Sequence, residues 1–489
     1  MGIISPLGNG IEPTRAAIKQ SKSGIRPLTL FPTAQSDPLP VGEITAPFET
    51  GDVPRTHNLA LVAAREAMFS AHCSPDAIVM GVTTGGILTT EENMMGRQTD
   101  PQLYAYHSVG SVAEYLADQL DCKGPVITVS TACSSGTVAI KVAVDLLKSG
   151  RVKSVLAGGA DSLCRLTYYG FNALQLIDPS GAHPFDKSRN GMSVSEGAAM
   201  VLLESDTEPT ENTIAKVLGV GLSCDAYHPA APHPEGAGGI AAMRAAIKEA
   251  RISHSDIDYI NLHGTGTFHN DLSEARAINT IFGGAKPPLS SVKGAFGHSL
   301  AAAGAIETAV SASCMEGKLI PANTGCGVPD PDLNLDPVLK PSVAELHTVL
   351  SNSFGFGGNN AAIILGSTAK DSKPFTPTPT ADLAVAGCAC LTGSGNADQT
   401  LDALSRGQDC RGILPDNQIS QKLSPNAVRR LKRLPRMGLS LAMAAYEDSG
   451  LSDAPSSIIF GTGWGPLSET YDFLQNLLES NEELTSPTN

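Results

Sequence analysis

Apolar and polar positions follow two different periods along residues 1–367. Short apolar runs typical of buried strands alternate with alanine-rich stretches that have helical spacing. The clearest strand candidates are 152–159, 198–204 and 257–262, and the clearest helix candidate is 235–251. Two more strand candidates, 349–355 and 361–365, flank a glycine-rich turn. Strands that alternate with helices in this way predict a layered α/β fold.

A proline- and threonine-rich stretch ends this pattern and predicts a linker over 369–381. Residues 382–478 then repeat part of the beginning of the chain, because 63–66 resembles 444–447 and 78–85 resembles 458–465. At this offset the counterpart of Cys133 would fall beyond the last residue, so we expect the repeat to lack a nucleophile of its own. The alternative is a chance likeness between two alanine-rich helices and two glycine-rich strand ends. The polar segment 479–489 is predicted to be a disordered tail.

Composition and charge exclude several classes of protein. The formal charge of −15 argues against a general binder of nucleic acids or anionic membranes. No apolar run reaches the roughly 18 residues of a membrane span, and residues 1–10 do not have the pattern of a secretory signal. The ten cysteines lack the paired spacing of metal ligands. We therefore expect a reduced, cytoplasmic protein that has no structural zinc or other metal.

Cys133 is the strongest candidate for a nucleophile. The β-rich run that begins at Val126 breaks at small residues before the helical pattern 137–147. This order predicts a strand, a sharp turn and a helix, with the thiol exposed at the positive end of that helix. Such an environment lowers the pKa of a cysteine. The alternative is a buried structural cysteine.

Two histidine motifs accompany this cysteine. Asn261-Leu-His-Gly-Thr-Gly-Thr267 places His263 at the end of a predicted strand, where an open α/β sheet displays reactive groups. The run 291–304 contains Lys293 and His298, and Glu307 follows it. Thr265 and Thr267 supply hydroxyl groups, and Gly264 and Gly266 permit a substrate backbone or a phosphopantetheine-like arm to approach closely.

Taken in order, these motifs resemble the β-ketoacyl-acyl-carrier-protein synthases of the elongating Cys-His-His type. The motifs are Thr131-Ala-Cys-Ser-Ser135, His263-Gly-Thr-Gly-Thr267, Lys293 with Gly297-His298, and Asn352-Ser-Phe-Gly-Phe-Gly-Gly358. The resemblance implies a thiolase fold with five αβαβα layers and two similar halves. The halves would be 1–205, which carries the nucleophile, and 206–368, which carries both histidines. The resemblance also implies a homodimer, or a heterodimer with a related subunit.

The resemblance implies a decarboxylative Claisen condensation. Cys133 would take an acyl group from an acyl carrier protein, and His263 and His298 would be neutral Nε2–H donors to the enolate that malonyl carrier protein forms on losing carbon dioxide. The backbone N–H groups of Cys133 and Phe356 would form the oxyanion hole, and Phe356 would also gate the acyl pocket. Lys293 and Glu307 would form an ion pair that orients His298. No cofactor is expected on this chain, because the carrier protein brings the phosphopantetheine.

The resemblance also implies supporting functions for further residues. Thr265 and Thr267 would support the site with uncharged hydroxyl groups, and Asp186, Arg189 and Glu196 would hold loops. A basic run in the repeat is a candidate site for docking the acidic carrier protein, with a solvated turn as the alternative. Its cations are Arg429, Arg430, Lys432, Arg433 and Arg436.

Two other functions are weighed against a ketosynthase. A thiolase acting on coenzyme A is disfavoured, because thiolases use a second active-site cysteine and the late motifs here present His298 and Phe356. A non-catalytic partner like a chain-length factor is disfavoured because such partners lack the nucleophilic cysteine. The pathway stays open among fatty acids, polyenes and polyketides.

Overall fold

The computed structural model describes residues 1–34, 36–69, 71, 73–205, 213–368, 383–463 and 465–480. The predicted linker 369–381 lies outside the described residues, as does nearly all of the predicted tail 479–489. The chain divides into two compact units. The first contains the described residues up to 368 together with 477–480, and the second contains 383–476. No helix among the described residues is long and apolar enough to span a membrane.

The first half of the first unit contains a six-stranded mixed sheet. The strands of this half are β1 Gly2–Ser5, β2 Gly8–Asn9, β3 Ile25–Pro27, β4 Pro40–Gly42, β5 Ala77–Gly81, β6 Val126–Val129, β7 Ser154–Asp161 and β8 Gly197–Glu204, of which β3 and β4 lie outside the six-stranded sheet. Its helices are α1 Ile11–Lys19, α2 Arg55–Ala67, α3 Ile87–Met95, α4 Gly110–Gln119, α5 Ser135–Lys148 and α6 Arg165–Ala173, with a 3-10 turn at Pro101–Tyr104. The strand order in the sheet is β2-β1-β8-β7-β5-β6, and β5 runs parallel to β6 and β7. β3 and β4 form a separate hairpin.

The second half contains a five-stranded sheet with the order β11-β10-β14-β15-β9. Its strands are β9 Lys216–Cys224, β10 Tyr259–Asn261, β11 Leu289–Ser290, β12 Leu319–Ile320, β13 Ser342–Val343, β14 Thr348–Gly355 and β15 Asn359–Gly366, of which β12 and β13 pair separately. Its helices are α7 Ala237–Ala250, α8 Phe268–Phe282, α9 Lys293–Phe296 and α10 Ala303–Glu316. Short 3-10 turns lie at His254–Asp256, Leu300–Ala302, Pro331–Leu333 and Phe356–Gly358.

The two sheets and their helices form the five layers of a thiolase fold. α2 and α4 cover the outer face of the first sheet, and α7 and α8 cover the outer face of the second. α5 and α10 lie between the sheets, since α5 contacts β5, β7 and β15 while α10 contacts β8 and β14. Every residue of α10 from Ala303 to Met315 is buried, which explains why this helix has no polar face. The expected five-layer arrangement is confirmed.

The central helices pack unusually closely at Gly136. A Cβ atom added there would lie 2.8 Å from the carbonyl oxygen of Ala301 and 2.8 Å from the nitrogen of Ala305. The hydroxyl groups of Thr137 on α5 and Ser353 on β14 form a buried hydrogen bond of 2.9 Å beside this contact. The two halves are therefore joined at the N-terminal end of α5, directly after Cys133.

The predicted elements mostly hold, with shifts of a few residues at their ends. β1 pairs antiparallel with β8 from Gly2 to Ile4. The strand candidate 257–262 is shorter than expected, since only Tyr259–Asn261 joins the sheet. Position 152–153 precedes β7 and is not part of it.

The second unit is helical in its described residues. The helices are α11 Ala397–Ser405, α12 Asp416–Ile419, α13 Pro425–Arg430 and α14 Arg433–Ser449, and α15 Leu467–Glu479 follows. The repeated segment 444–447 lies inside α14. The other repeated segment forms no strand over its described residues 458–463 and 465. In the first half β6 and β7 pair with β5 on either side, and the described part of the second unit supplies no such neighbours.

Packing at Gly136 predicts that Gly136→Ala lowers the free energy of unfolding. The added methyl group meets backbone atoms that cannot move aside, and overpacking of this kind typically costs about 1–3 kcal/mol. The matched control is Gly170→Ala in α6, where an added Cβ meets nothing within 4 Å. The free energy of unfolding of the Gly170→Ala control should rise by about 0.5–1 kcal/mol, because alanine is the better helix former. Urea unfolding followed by circular dichroism measures both, and a Gly136→Ala protein as stable as the wild type would contradict the close contact.

Candidate active site

Cys133 lies in a strained turn between β6 and α5. Ala132, the residue before it, has a φ of 54°, which places a non-glycine residue in the left-handed region. Two serines fix the turn: the Ser135 hydroxyl donates to the carbonyl of Ala132 at 2.6 Å, and the Ser134 hydroxyl donates to that of Thr131 at 2.8 Å. The strand, turn and helix predicted around the cysteine are all present.

The environment of the thiol differs from the prediction. Cys133 is only 6% exposed, and burial raises the pKa of its thiol to about 11. The charge of Lys293 and the backbone N–H groups of Phe356 and Cys133 act in the opposite direction but do not outweigh burial. The expected lowering of the pKa was therefore wrong, because desolvation of the thiolate exceeds the stabilisation by these dipoles. These two N–H groups are the ones that the resemblance assigns to an oxyanion hole, and that function remains a prediction.

His263 follows β10 and is held by a buried carboxylate. Glu274 on α8 accepts hydrogen bonds of 2.8 Å from the backbone N–H groups of His263 and Gly264. Its Oε1 also accepts a 3.0 Å bond from the side-chain amide of Asn352 on β14. Glu274 thus ties the histidine turn to the neighbouring strand. Burial raises the pKa of Glu274 to about 7, although these hydrogen bonds favour its ionised form.

Lys293 connects His263 to a buried acid. Its Nζ lies 3.1 Å from His263 Nδ1, donates to the His263 carbonyl at 2.6 Å, and forms a short ion pair with Glu307 on α10. Both side chains of the pair are at most 2% exposed. The ion pair was predicted to orient His298, but its hydrogen bonds go to His263. An ammonium group has no acceptor, so Nδ1 of His263 must accept and the ring proton resides on Nε2.

His298 faces His263 edge to face, with ring centroids 5.3 Å apart. Its backbone is fixed to the segment before β8: His298 N–H donates to Ser193 at 2.8 Å, and Ser195 N–H donates to the His298 carbonyl at 2.9 Å. Burial lowers the pKa of both rings well below the usual value, and the Lys293 charge adds to this effect. Both histidines are therefore neutral, as predicted. Nδ1 of His298 has no hydrogen-bond partner within the described part of the chain.

Phe356 begins the glycine-rich turn after β14. It is half-buried, and its ring packs edge to face against Phe171 on α6 with centroids 5.7 Å apart. The preceding aromatic, Phe354, lies against His263 with ring centroids 5.9 Å apart. The turn therefore borders both the thiol and the histidine pair. The gating function remains a prediction.

The two threonines of the His263 motif are hydrogen-bonded to each other. Their hydroxyl oxygens lie 2.9 Å apart, and Thr265 Oγ1 also accepts a 3.3 Å bond from the Thr267 N–H. Thr265 is 5% exposed and Thr267 is half-buried, so the pair leads outward from the histidines.

Two buried acids near the site were not among the sequence candidates. Glu274 is one, and Asp161 at the end of β7 is the other. Asp161 accepts bonds from the backbone N–H groups of Thr83, Thr84 and Ala301 at 2.7–2.9 Å, which joins the loop after β5 to the turn after His298. Their positions offered a signal, since Asp161 ends a buried strand and Glu274 follows the histidine motif on a helix.

The three residues expected to hold loops have suitable contacts. Asp186 accepts from the N–H groups of Gly327 and Val328 at 2.7 and 2.8 Å, and Arg189 pairs with Asp330 at 2.5 Å. Glu196 pairs with Arg55 and accepts from the Ile44 N–H at 2.9 Å.

The basic run lies in the second unit, and two of its cations already have a partner there. Arg433 forms an ion pair with Asp416, and Arg436 lies 3.6 Å from the same carboxylate. Arg429 lies near the end of α13 and is exposed, and Lys432 is exposed just before α14. The side chain of Arg430 lies outside the described part of the structure.

Comparison with known proteins places this site in a family. The N-terminal domain of β-ketoacyl synthases matches residues 1–208, and the C-terminal domain matches residues 214–326. The 3-oxoacyl-[acyl-carrier-protein] synthase 2 of Coxiella burnetii is 31% identical over 402 residues, covering 75% of this chain and 96% of the relative.

Two solved structures extend the comparison. The ishigamide ketosynthase/chain length factor shares 32% identity with a TM-score of 0.69, covering 75% of this chain and 97% of that one. The PfaC keto synthase–chain length factor has the same fold, with a TM-score of 0.73 at 19% identity, and covers 88% of this chain and 55% of that one. With its thiolase layers and its buried cysteine and histidine pair, this chain belongs to the β-ketoacyl synthase family.

Proposed function

We propose that this chain is an acyltransferase that condenses malonyl carrier protein with an acyl group held on Cys133, to give 3-oxoacyl carrier protein. The observation that carries the proposal is the pair of neutral, buried histidines beside a cysteine at a helix start, with Lys293 fixing the tautomer of one ring. A chain-length factor is the second candidate, and the presence of Cys133 in an intact strained turn argues against it.

The first step transfers the acyl group. Cys133 sulfur attacks the thioester carbonyl, the carrier-protein thiolate leaves and takes the thiol proton, and an acyl-cysteine remains. The tetrahedral oxyanion accepts hydrogen bonds from the backbone N–H groups of Cys133 and Phe356, both of which act to lower the pKa of the Cys133 thiol. Donors placed in this way stabilise the transition state because they need no reorganisation.

The second step makes the carbon nucleophile. Malonyl thioester loses carbon dioxide, and the electron pair of the broken bond moves onto the thioester oxygen as an enolate. His263 donates Nε2–H to that oxygen, since its Nδ1 is occupied by Lys293. His298 supplies the second donor from the facing ring. Neutral rings suit this task, because they donate without the desolvation cost of a buried cation.

The third step forms the carbon–carbon bond. The enolate carbon attacks the acyl-cysteine carbonyl, and the Cys133 thiolate leaves and recovers a proton from water. The product remains on the phosphopantetheine of the carrier protein, so this chain needs no bound cofactor. Thr265 and Thr267 supply hydroxyl groups along the path of that arm.

We further propose that the second unit is the beginning of another ketosynthase-like half. α11 and α1 both have nine residues, and the pairing of Thr392 with Gly395 matches that of Ser5 with Gly8 in β1 and β2. Asp448 accepts the N–H of Cys388 at 2.8 Å, as Glu66 accepts that of Ile3. The PfaC match supports this idea at the level of the fold, because 88% coverage requires residues beyond 382.

The setting of the reaction follows from this proposal. Acyl carrier proteins and their thioesters are the substrates, so the chain is proposed to act in the cytoplasm. It is proposed to dimerise with itself or with a related ketosynthase subunit.

Acyl-enzyme formation tests the nucleophile. The wild type incubated with medium-chain acyl carrier protein should gain the mass of one acyl group, because Cys133 forms a thioester with it. Cys133→Ala should gain none, and Cys314→Ala, which removes another buried thiol, should behave as the wild type. Intact mass spectrometry makes the measurement. Acylation of the Cys133→Ala protein would contradict the assignment.

The function of the histidine pair in decarboxylation can be tested separately from acylation of the nucleophile. His263→Ala should reduce decarboxylation of malonyl carrier protein by about 10²–10³-fold, the usual loss for one oxyanion donor. It should still become acylated at Cys133, because acylation uses the backbone donors. The control is His347→Ala, whose side chain is 58% exposed. Release of labelled carbon dioxide is the readout, and equal loss of both half-reactions would show that His263 acts on the fold instead.

Carrier-protein docking by the basic run remains a prediction. Reversing the exposed cations with Arg429→Glu and Lys432→Glu should weaken binding of holo carrier protein by about tenfold at low salt, because the attraction is electrostatic. The matched control reverses Lys123 and Arg151, which are exposed on the first unit. Fluorescence anisotropy gives both dissociation constants. An unchanged constant for the Arg429 and Lys432 variant would rule out this surface.

A further inference from the structure

The histidine motif runs outward from the active site to an exposed aromatic ring. Side-chain exposure rises along it, since His263 is 1% exposed, Thr265 is 5% exposed and Phe268 is 59% exposed. Phe268 is the first residue of α8. An extended backbone covers at most roughly 18 Å over five residues, so the Cα atoms of Phe268 and His263 lie within that distance of each other.

The turn that presents Phe268 rests on a neighbouring loop. Gly266 has a φ of 84°, and its carbonyl accepts a 3.1 Å hydrogen bond from the Gly191 N–H. A Cβ at Gly266 would lie 2.6 Å from the Gly191 carbonyl oxygen, so only glycine permits this contact. Asp271 reinforces the turn by accepting from the N–H groups of Gly266 and Phe185.

The same loop carries the residue that holds the ring. The guanidinium carbon of Arg189 lies 5.1 Å from the centroid of the Phe268 ring, within the range of a cation–π contact. Arg189 is itself fixed, because its side chain is 2% exposed, pairs with Asp330 and donates to the Asp186 carbonyl at 2.9 Å. The His269 ring packs edge to face against Phe268 at 5.7 Å. Phe268 is therefore exposed and yet held in place.

An exposed ring that is fixed before binding is suited to recognition, since little conformational entropy is lost when it is covered. The phosphopantetheine arm has one strongly apolar part, a carbon bearing two methyl groups, close to its attachment to the carrier protein. With the thiol end at Cys133, that part must lie toward the surface. Phe268 stands at the outer end of the Thr265 and Thr267 run, where such a group would pass.

We propose that Phe268 binds the dimethyl group of the arm and thereby selects thioesters that carry it. The inference rests on the proposed ketosynthase function. Covering about 50–60 Å² of apolar surface corresponds to roughly a tenfold change in affinity. The effect belongs to substrate binding, because the ring does not reach the reacting atoms.

Three thioesters of the same acyl group test this assignment: those of the carrier protein, of pantetheine, which has the dimethyl group, and of N-acetylcysteamine, which lacks it. Phe268→Ala should raise KM for acylation about tenfold with the first two, leave kcat unchanged, and change neither constant with the third. Phe268→Leu should restore much of the affinity. Phe69→Ala, which removes a ring that is 89% exposed elsewhere, is the control and should match the wild type. Thermal unfolding checks that each variant is folded.

Each other result overturns the inference in a distinct way. A rise in KM with the carrier protein alone would mean that the ring contacts the protein and not the arm. Equal effects on all three thioesters, or a fall in kcat, would mean that Phe268 supports the His263 turn. Unchanged constants throughout would show that the ring binds no part of the substrate. A wild type that is not acylated by any of the three would instead overturn the proposed function, and this inference with it.

Discussion

The buried contact between Lys293, Glu307 and His263 is the interaction on which the rest of the site depends. A lysine charge held away from water is costly unless a carboxylate and further acceptors satisfy it. Here Glu307 and the His263 carbonyl do so, which leaves the remaining donor directed at Nδ1 of the ring. One electrostatic requirement thus holds the histidine in place, keeps it neutral and places its proton on the reactive side.

The two central helices, which meet between the sheets, position this contact relative to Cys133. α5 begins beside Cys133 and α10 carries Glu307, so their packing sets how far the nucleophile lies from the ion pair. Asp161 adds a second connection, since it joins the end of β7 to the turn after His298. Packing of the backbone therefore brings Cys133 of the first half close to the histidines and Lys293 of the second half. This packing tolerates little change, because protein interiors are densely filled.

The proposed repeat in the second unit has several local features in common with the start of the chain. Its turn, its nine-residue helix and its acid-to-backbone contact repeat those at the start of the chain. All of these depend on residues close in sequence or on a single helix. The segment 458–463 forms no strand, and the described part of the second unit supplies no neighbouring strand to pair with its backbone N–H and C=O groups.

The sequence by itself determined the order of the elements and indicated the candidate nucleophile and the two candidate histidines, because each lies in a short motif whose local geometry follows from small residues and glycines. It also indicated neutral histidines and the five layers. Only the tertiary structure decided that burial raises the pKa of Cys133, that Lys293 serves His263 and not His298, and that Glu274 and Asp161 brace the site. These properties come from contacts between residues 11 to 140 positions apart, or from the number of atoms that surround a group. Neither is readable from neighbours along the chain, since desolvation and long-range contacts exist only once the layers have packed.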